Sequence, residues 1–246
     1  MIRTAIILAA GEGSRLRDTT PFKPLCIVGE RTLLDHALAG LAEAGIERVV
    51  LVLGYGAAAI AAHLAASPPP IAVETVMSDP RRPNGVSALA AAPRLAGDPG
   101  LLLMCDHLVE PALYARMARA GAGDGLRLGI DRRLGHPWVD PLDVTCVATA
   151  GDRITAIGKE MVPHDCYDTG VFAVGPALFA ALGALADPSL TEGVRTLAVQ
   201  GRARVVDCSD LAWIDVDDAK ALRQAEGWIA RTAAPHVATL AAGARF

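Results

Sequence analysis

The stretch "LAAGEGSRLRDTTPFKPL", Leu8 to Leu25, sets two glycines, an arginine and a lysine behind the apolar run "TAIIL". These are residue types that hold phosphate. Gly11 and Gly13 carry no Cβ, so the backbone there can approach an anion and aim N–H groups at it. Arg15 offers a planar fork suited to phosphate oxygens, and Lys23, eight residues on and beside Pro24, adds a second cation. Two common phosphate-binding turns do not fit. A dinucleotide fingerprint needs a third glycine where Leu16 stands, and an acidic strand end where residues 31–35 read as helix. A P-loop needs a Gly-Lys-Ser/Thr spacing that does not follow Gly11. What remains is a glycine-rich turn at the carboxyl end of a first strand, where open α/β sheets bind ligands.

Further polar residues stand at strand ends or helix starts. Asp106, in "MCDH", follows an apolar strand and is placed either to hold Mg²⁺ against phosphates or to cap a helix. Its neighbour His107 shapes the same region. Asp215 and Asp217, in "WIDVDD", are two apart and would share one face of a strand. In "PNGVSALAAA", Asn84 and Gly85 form a turn, and Ser87 lies in the first turn of the helix that follows. Asp131 and Arg132 end a strand, where they either meet a ligand or serve as surface charges. Glu192 stands three residues after Ser189 in "SLTE", which also reads as a capping box.

The elements that must position these residues follow from the hydrophobic pattern. Strand-length apolar runs at 4–10, 48–53, 71–77, 101–105 and 126–130 alternate with helix-like segments at 32–44, 57–66, 85–95 and 111–120. That alternation predicts βαβ units and a parallel sheet covered on both faces. Thr32 with Asp35 forms a capping box, and Gly45 ends the helix. After residue 131 the rhythm changes to a hairpin turning near Gly151-Asp152, a strand at 167–175, helices at 176–186 and 190–199, a strand at 203–207 and a last helix to about Thr232. One α/β domain over 1–232 is predicted, a first half to 130 and an antiparallel-rich second half from 131. The tail 233–246 is apolar but irregular; it either docks on a second subunit, as in a homodimer, or frays.

Composition narrows the class. The chain has 246 residues, 52% apolar and 20% charged, with a net charge of −4, which excludes a disordered chain and offers no basic stripe for nucleic acid. Five widely spaced cysteines without a C-x-x-C pair point to isolated buried thiols rather than zinc or redox chemistry. The run "TAIILAA" is far shorter than the roughly 20 residues a membrane span takes, and no secretory cleavage pattern follows it. A cytoplasmic protein with no membrane insertion is expected.

Gly-x-Gly-x-Arg followed by Lys-Pro closely resembles the signature of nucleotidyltransferases that join a nucleoside triphosphate to a phosphorylated sugar or alcohol. The resemblance implies their Rossmann-like fold, a mixed, mostly parallel sheet flanked by helices, with a nucleotide-binding half followed by a hairpin-rich acceptor half. It puts the nucleotide against Leu8, Ala9, Ala10, Gly11, Glu12, Gly13, Ser14, Arg15, Lys23, Asn84, Gly85, Ser87 and Asp106. It gives Asp106 and either Asp217 or Asp215 to Mg²⁺, although Asp218 and Ala219 replace the threonine and proline usual after the last aspartate. On the acceptor side it implies Asp131, Lys159, Asp168, Thr169, Gly170 and Glu192, with Lys159 on the acceptor phosphate. Arg15, Lys23 and Lys159 are then the catalytic cations. Within the family, "MCDHLVEPALY", "CYDTGVFAV" and "WIDVDD" look most like enzymes that transfer CMP from CTP to inositol 1-phosphate, with phosphonate, choline-phosphate and hexose-1-phosphate transferases as alternatives. An aromatic content of only 4% disfavours a choline cage.

Overall fold

A computed structural model of the chain describes residues 1–233. The expectation for the tail therefore lies, from residue 234 on, outside the described residues. The first half contains β1 (Thr4–Ala9), β2 (Ile27–Val28), β3 (Arg31–Thr32), α1 (Leu33–Glu43), β4 (Arg48–Leu53), α2 (Ala57–Ala66), β5 (Ala72–Met77), α3 (Asn84–Leu95), β6 (Gly100–Met104), β7 (His107–Val109), α4 (Pro111–Ala120) and β8 (Leu126–Asp131). The second contains β9 (Thr145–Ala150), β10 (Arg153–Lys159), β11 (Cys166–Val174), α5 (Pro176–Gly183), α6 (Leu190–Val199), β12 (Ala203–Asp207), β13 (Trp213–Asp215) and α7 (Ala219–Ala233).

Nine strands form one mixed sheet in the order β5-β4-β1-β6-β11-β8-β12-β10-β9. The pairings β5–β4, β4–β1, β1–β6 and β12–β8 are parallel. The others are antiparallel, because β11 enters between β6 and β8 against their direction and the β9–β10 hairpin closes the far edge. The hairpin turns at Gly151, whose φ of 64° is the left-handed region that suits glycine.

Both faces of the sheet are covered, which is why the strands read as unbroken apolar runs. On one face Leu34, Leu38 and Leu41 of α1 and Leu113, Tyr114 and Met117 of α4 pack on Ile7, Leu51 and Leu103. On the other, Ala88, Ala91 and Leu95 of α3 and Leu178, Leu182, Val194 and Leu197 of α5 and α6 pack on Ile6, Val50, Leu102 and Leu128. A third, smaller cluster joins Leu16, Cys26, Val28, Leu33, Leu108, Ile214, Val216, Leu222 and Ala225. It matters most for the site, since it ties the opening loop to the β7–β13 ribbon and α7.

Both expected capping boxes form, Thr32 with Asp35 and Ser189 with Glu192. α5 stops at Gly183, three residues short of the expected end, where the chain turns toward Asp187-Pro188. The short strands β2, β3, β7 and β13 have two or three residues each, too few to show a period. All five cysteines are free and buried. Among the described residues no helix is long and apolar enough to cross a membrane.

Gly85 sits where α3 meets the loop before α6. A Cβ there would lie 2.4 Å from the carbonyl oxygen of Pro188. Gly85→Ala is therefore expected to cost about 1–3 kcal/mol in urea unfolding through overpacking against backbone. Unchanged stability would show that the glycine is not held by packing.

Candidate active site

The opening loop leaves the carboxyl end of β1 and folds so that the stem of Lys23 lies against Gly13. A Cβ on Gly13, whose φ is 56°, would meet the Cβ of Lys23 at 2.6 Å. The ammonium of Lys23 is carried inward until the residue is only 7% exposed. There it donates to Asp106 Oδ2 at 2.6 Å, pairs with Asp217, and lies 3.9 Å from Asp215 Oδ1. Two segments far apart in sequence deliver these carboxylates. Asp106 follows β6, Asp215 ends β13 opposite His107 in the β7–β13 register, and Asp217 precedes α7. The N–H of Val216 donates to the carbonyl of Asp106 at 3.0 Å and locks the segments together.

The electrostatics follow from this crowding. Burial would lower the Lys23 pKa, but the charges of Asp106 and Asp215 outweigh it and hold the ammonium above its ordinary value. Burial works against the Asp106 carboxylate as well, and Lys23 and His107 reverse this, taking its pKa below the usual range. His107 donates from Nδ1 to the carbonyl of Thr169 at 2.8 Å, which turns Nε2 toward Asp215 at 3.6 Å and Asp106 at 3.8 Å. Burial disfavours the imidazolium, yet Asp215 and then Asp106 raise its pKa to about 9. The ring of Trp213 stacks on His107 with centroids 5.8 Å apart.

Among the described residues, two carboxylate oxygens, Oδ1 of Asp106 and Oδ1 of Asp215, are buried without a hydrogen-bond partner. An unmatched buried acceptor is costly, and hard oxygen donors suit a divalent cation such as Mg²⁺. Ligand atoms of Asp106, His107 and Asp215, and separately of Asp143, Asp215 and Asp217, lie within 4.8 Å of one another. The residues present fit a divalent ion.

A second charged group lies beside the first. Arg15 donates from Nη2 to Asp143 Oδ2 at 2.7 Å and also to Asp217. Lys159 pairs with the other oxygen of Asp143. Burial would raise the Asp143 pKa, but Lys159 and Arg15 hold it low. Asp143 lies on the connection between β8 and β9, carries no motif, and is missed by reading the sequence.

Two cavities meet at these charges. One, of about 390 Å³, is lined by Leu8, Ala10, Gly11, Gly13, Lys23, Pro80, Arg82, Ser87 and Cys105. The other, of about 270 Å³, is lined by Trp138, Asp140, Asp143, Thr145, Lys159, Asp168, Gly170 and Trp213. Arg15, Asn84, Met104, Asp106 and Asp217 belong to both walls. Asp168 Oδ1 accepts from the Gly170 N–H at 2.7 Å. Burial raises the Asp168 pKa to about 6 despite that bond. Ser87 donates to Ser78 at 3.0 Å, and Asn84 Oδ1 accepts from the Leu190 N–H at 2.8 Å.

Several other expected site residues take part in contacts within the protein itself. Asp131 is 0% exposed; its oxygens accept from the Arg133 guanidinium and, at 2.9 Å, from Trp213 Nε1, which braces β8 against β13. Arg132 pairs with Asp165 instead. The Thr169 hydroxyl is buried and donates to the carbonyl of Gly129 at 2.8 Å. Glu192 spends its carboxylate on Ser189 at the exposed start of α6. Gly85 faces Pro188. Ala9 is buried in the sheet, and Glu12 pairs with Arg17 at 3.1 Å. Ser14 opens a 3-10 turn, Ser14–Leu16.

Comparison with known proteins gives a consistent picture. A family profile described as the MobA-like NTP transferase domain matches residues 5–152. A bifunctional IPC transferase and DIPP synthase of Rubrobacter xylanophilus is 34% identical over 236 residues, covering 92% of this chain and 52% of that protein. A CMP-5'-(3-aminopropyl)phosphonate synthase of Streptomyces rubellomurinus is 30% identical over 249 residues, covering 90% of this chain and 38% of that protein. The chain thus spans about half the length, or less, of these curated relatives. The solved inositol-1-phosphate CTP transferase from T. maritima superposes with a TM-score of 0.79 at 24% identity, over 89% of this chain and 91% of that one, which shows a shared fold.

If Asp131 is a brace, Asp131→Ala should lower stability by about 2–4 kcal/mol in urea unfolding, since charged hydrogen bonds are lost. The folded fraction should keep its acceptor KM. A raised acceptor KM with unchanged stability would restore the ligand role.

Proposed function

The chain belongs to the MobA-like NTP transferase family, and on that premise we propose that it transfers CMP from CTP to inositol 1-phosphate, or a similar polyol phosphate, with release of pyrophosphate. The observation that carries this reading is the junction of two cavities at Arg15, Asp106 and Asp217. The cavity beside the glycine-rich loop suits the nucleotide. The cavity beyond it holds Lys159 for a phosphate and Asp168 for hydroxyls. The names of the Rubrobacter relative and the T. maritima structure support the nucleotide and the acceptor.

In this reading a phosphate oxygen of the acceptor attacks the α-phosphorus in line, and pyrophosphate leaves. A phosphate monoester has its second pKa near about 6, so the dianion is already nucleophilic at neutral pH and no general base is assigned. The residues position and neutralise. Lys159 orients the attacking phosphate, Lys23 and Arg15 balance charge on the triphosphate, and Gly11 and Gly13 let backbone N–H groups reach it. Asp106, with Asp215 or Asp217, would hold Mg²⁺, which when bound supplies charge neutralisation on phosphate oxygens. A cytoplasmic location is part of the same proposal.

A phosphonate acceptor is the second reading, favoured by the Streptomyces relative. Trp213, stacked on His107, and Trp138, packed on Trp228 with the Arg231 guanidinium 6.0 Å from its ring, line the acceptor-side cavity, so choline phosphate belongs among the acceptors tested.

Pyrophosphate release across four nucleotides and a panel of inositol 1-phosphate, glucose 1-phosphate, choline phosphate and an aminoalkylphosphonate tests the assignment. CTP with inositol 1-phosphate is expected to give the highest kcat/KM, EDTA to abolish turnover, and Lys23→Ala to reduce it at least about 1000-fold. CTP as the poorest nucleotide would overturn the reading.

A further inference from the structure

We propose that Asp143 is a positioning residue that fixes the phosphate-binding cations of the two cavities, Arg15 and Lys159, side by side at the junction where transfer takes place. The inference rests on the cytidylyltransferase reading and adds a residue that neither the sequence nor the family signature singles out.

The direction of control follows from burial. The Asp143 side chain is 17% exposed, whereas those of Arg15 and Lys159 are 54% and 58% exposed. The carboxylate is the fixed member and the two long cations are the mobile arms. Its backbone is pinned as well. The N–H groups of Asp143 and Val144 both donate to the carbonyl of Asp140, at 3.2 and 2.9 Å, and Leu142 N–H donates to the Asp140 carboxylate at 3.0 Å. The hairpin then sets the register, because Thr145, two residues after Asp143, pairs directly with Lys159. Asp143 therefore sits in the turn that leads into β9, two residues before the position that pairs with the last residue of β10.

The two cations depend on Asp143 unequally. Arg15 also pairs with Asp217, so it keeps one anchor if Asp143 is neutralised. Among the described residues Lys159 has no other ion-pair partner. A flexible lysine without a partner samples many rotamers, and like charges side by side repel. Loss of the Asp143 charge should therefore release the acceptor-side cation and leave the nucleotide-side cation largely in place.

Steady-state kinetics with CTP and inositol 1-phosphate test this on Asp143→Asn, with Asp143→Ser as a second neutral variant should the first fold poorly. The expected result is a fall of about 100-fold in kcat/KM for the acceptor, with KM for CTP within about threefold of wild type, the scale set by misplacement of a positioned group. Asp143→Glu should restore most of the loss, and Lys159→Met combined with Asp143→Asn should be no slower than Lys159→Met alone. Folded neutral variants with wild-type acceptor kinetics, an equal rise in KM for CTP, or multiplying losses in the double variant would each overturn the inference. A wild-type chain that turns over no nucleotide and acceptor pair would overturn the activity itself, an outcome distinct from an active enzyme indifferent to Asp143.

Discussion

A nearly buried ammonium among three carboxylates is the constraint on which the rest of the site depends. Taking Lys23 out of water costs several kcal/mol unless the charge is paired, and three aspartates brought together without a cation would repel one another. Each side is tolerable because the other is present. Asp106, Asp215 and Asp217 come from segments more than a hundred residues apart, the end of β6 and the approach to α7. The small cluster of Leu16, Val28, Leu108, Ile214, Val216 and Leu222 forces those segments to one point. Apolar packing thus supplies the free energy that holds the charges in place. The β7–β13 ribbon and the Val216-to-Asp106 hydrogen bond set the register.

The cations at the junction are already committed to carboxylates. Lys23 pairs with Asp106 and Asp217, Arg15 with Asp143 and Asp217, Lys159 with Asp143, and His107 lies 3.6 Å from Asp215. A triphosphate would have to compete with those pairs, and a further cation would relieve that competition. The unpartnered Oδ1 atoms of Asp106 and Asp215 are the acceptors available to hold it. The carboxylates serve two partners in this account, the resident cations and a divalent ion that arrives with the nucleotide.

Much of the fold was legible because its signals are local. Parallel strands read as apolar runs, both capping boxes carry their own chemistry, and Gly151-Asp152 marks the hairpin turn. Gly11, Gly13, Arg15 and Lys23 were legible as a group because their loop resembles the nucleotidyltransferase signature, and Asp106 joined them as the aspartate that follows a central apolar strand. Asp143 was not, since its partners are 128 and 16 residues away and nothing around it is patterned. β7 and β13 were too short to show alternation. Asp131 and Glu192 illustrate a different limit. An aspartate at a strand end or a glutamate in a first helical turn looks the same in sequence whether it meets a ligand, braces a neighbouring strand or caps a helix. Only the position of Trp213 and Ser189 distinguishes these.

The central claim, that the acidic cluster at Lys23 is a cation-assisted triphosphate site, is tested most directly by calorimetric titration of CTP with and without Mg²⁺, in the wild-type chain and in Asp106→Asn. Mg²⁺ is expected to tighten CTP binding by at least about tenfold, or 1.4 kcal/mol, in the wild type, and most of this gain is expected to disappear in the variant. Equal CTP affinity with and without Mg²⁺ in the wild-type chain would contradict it.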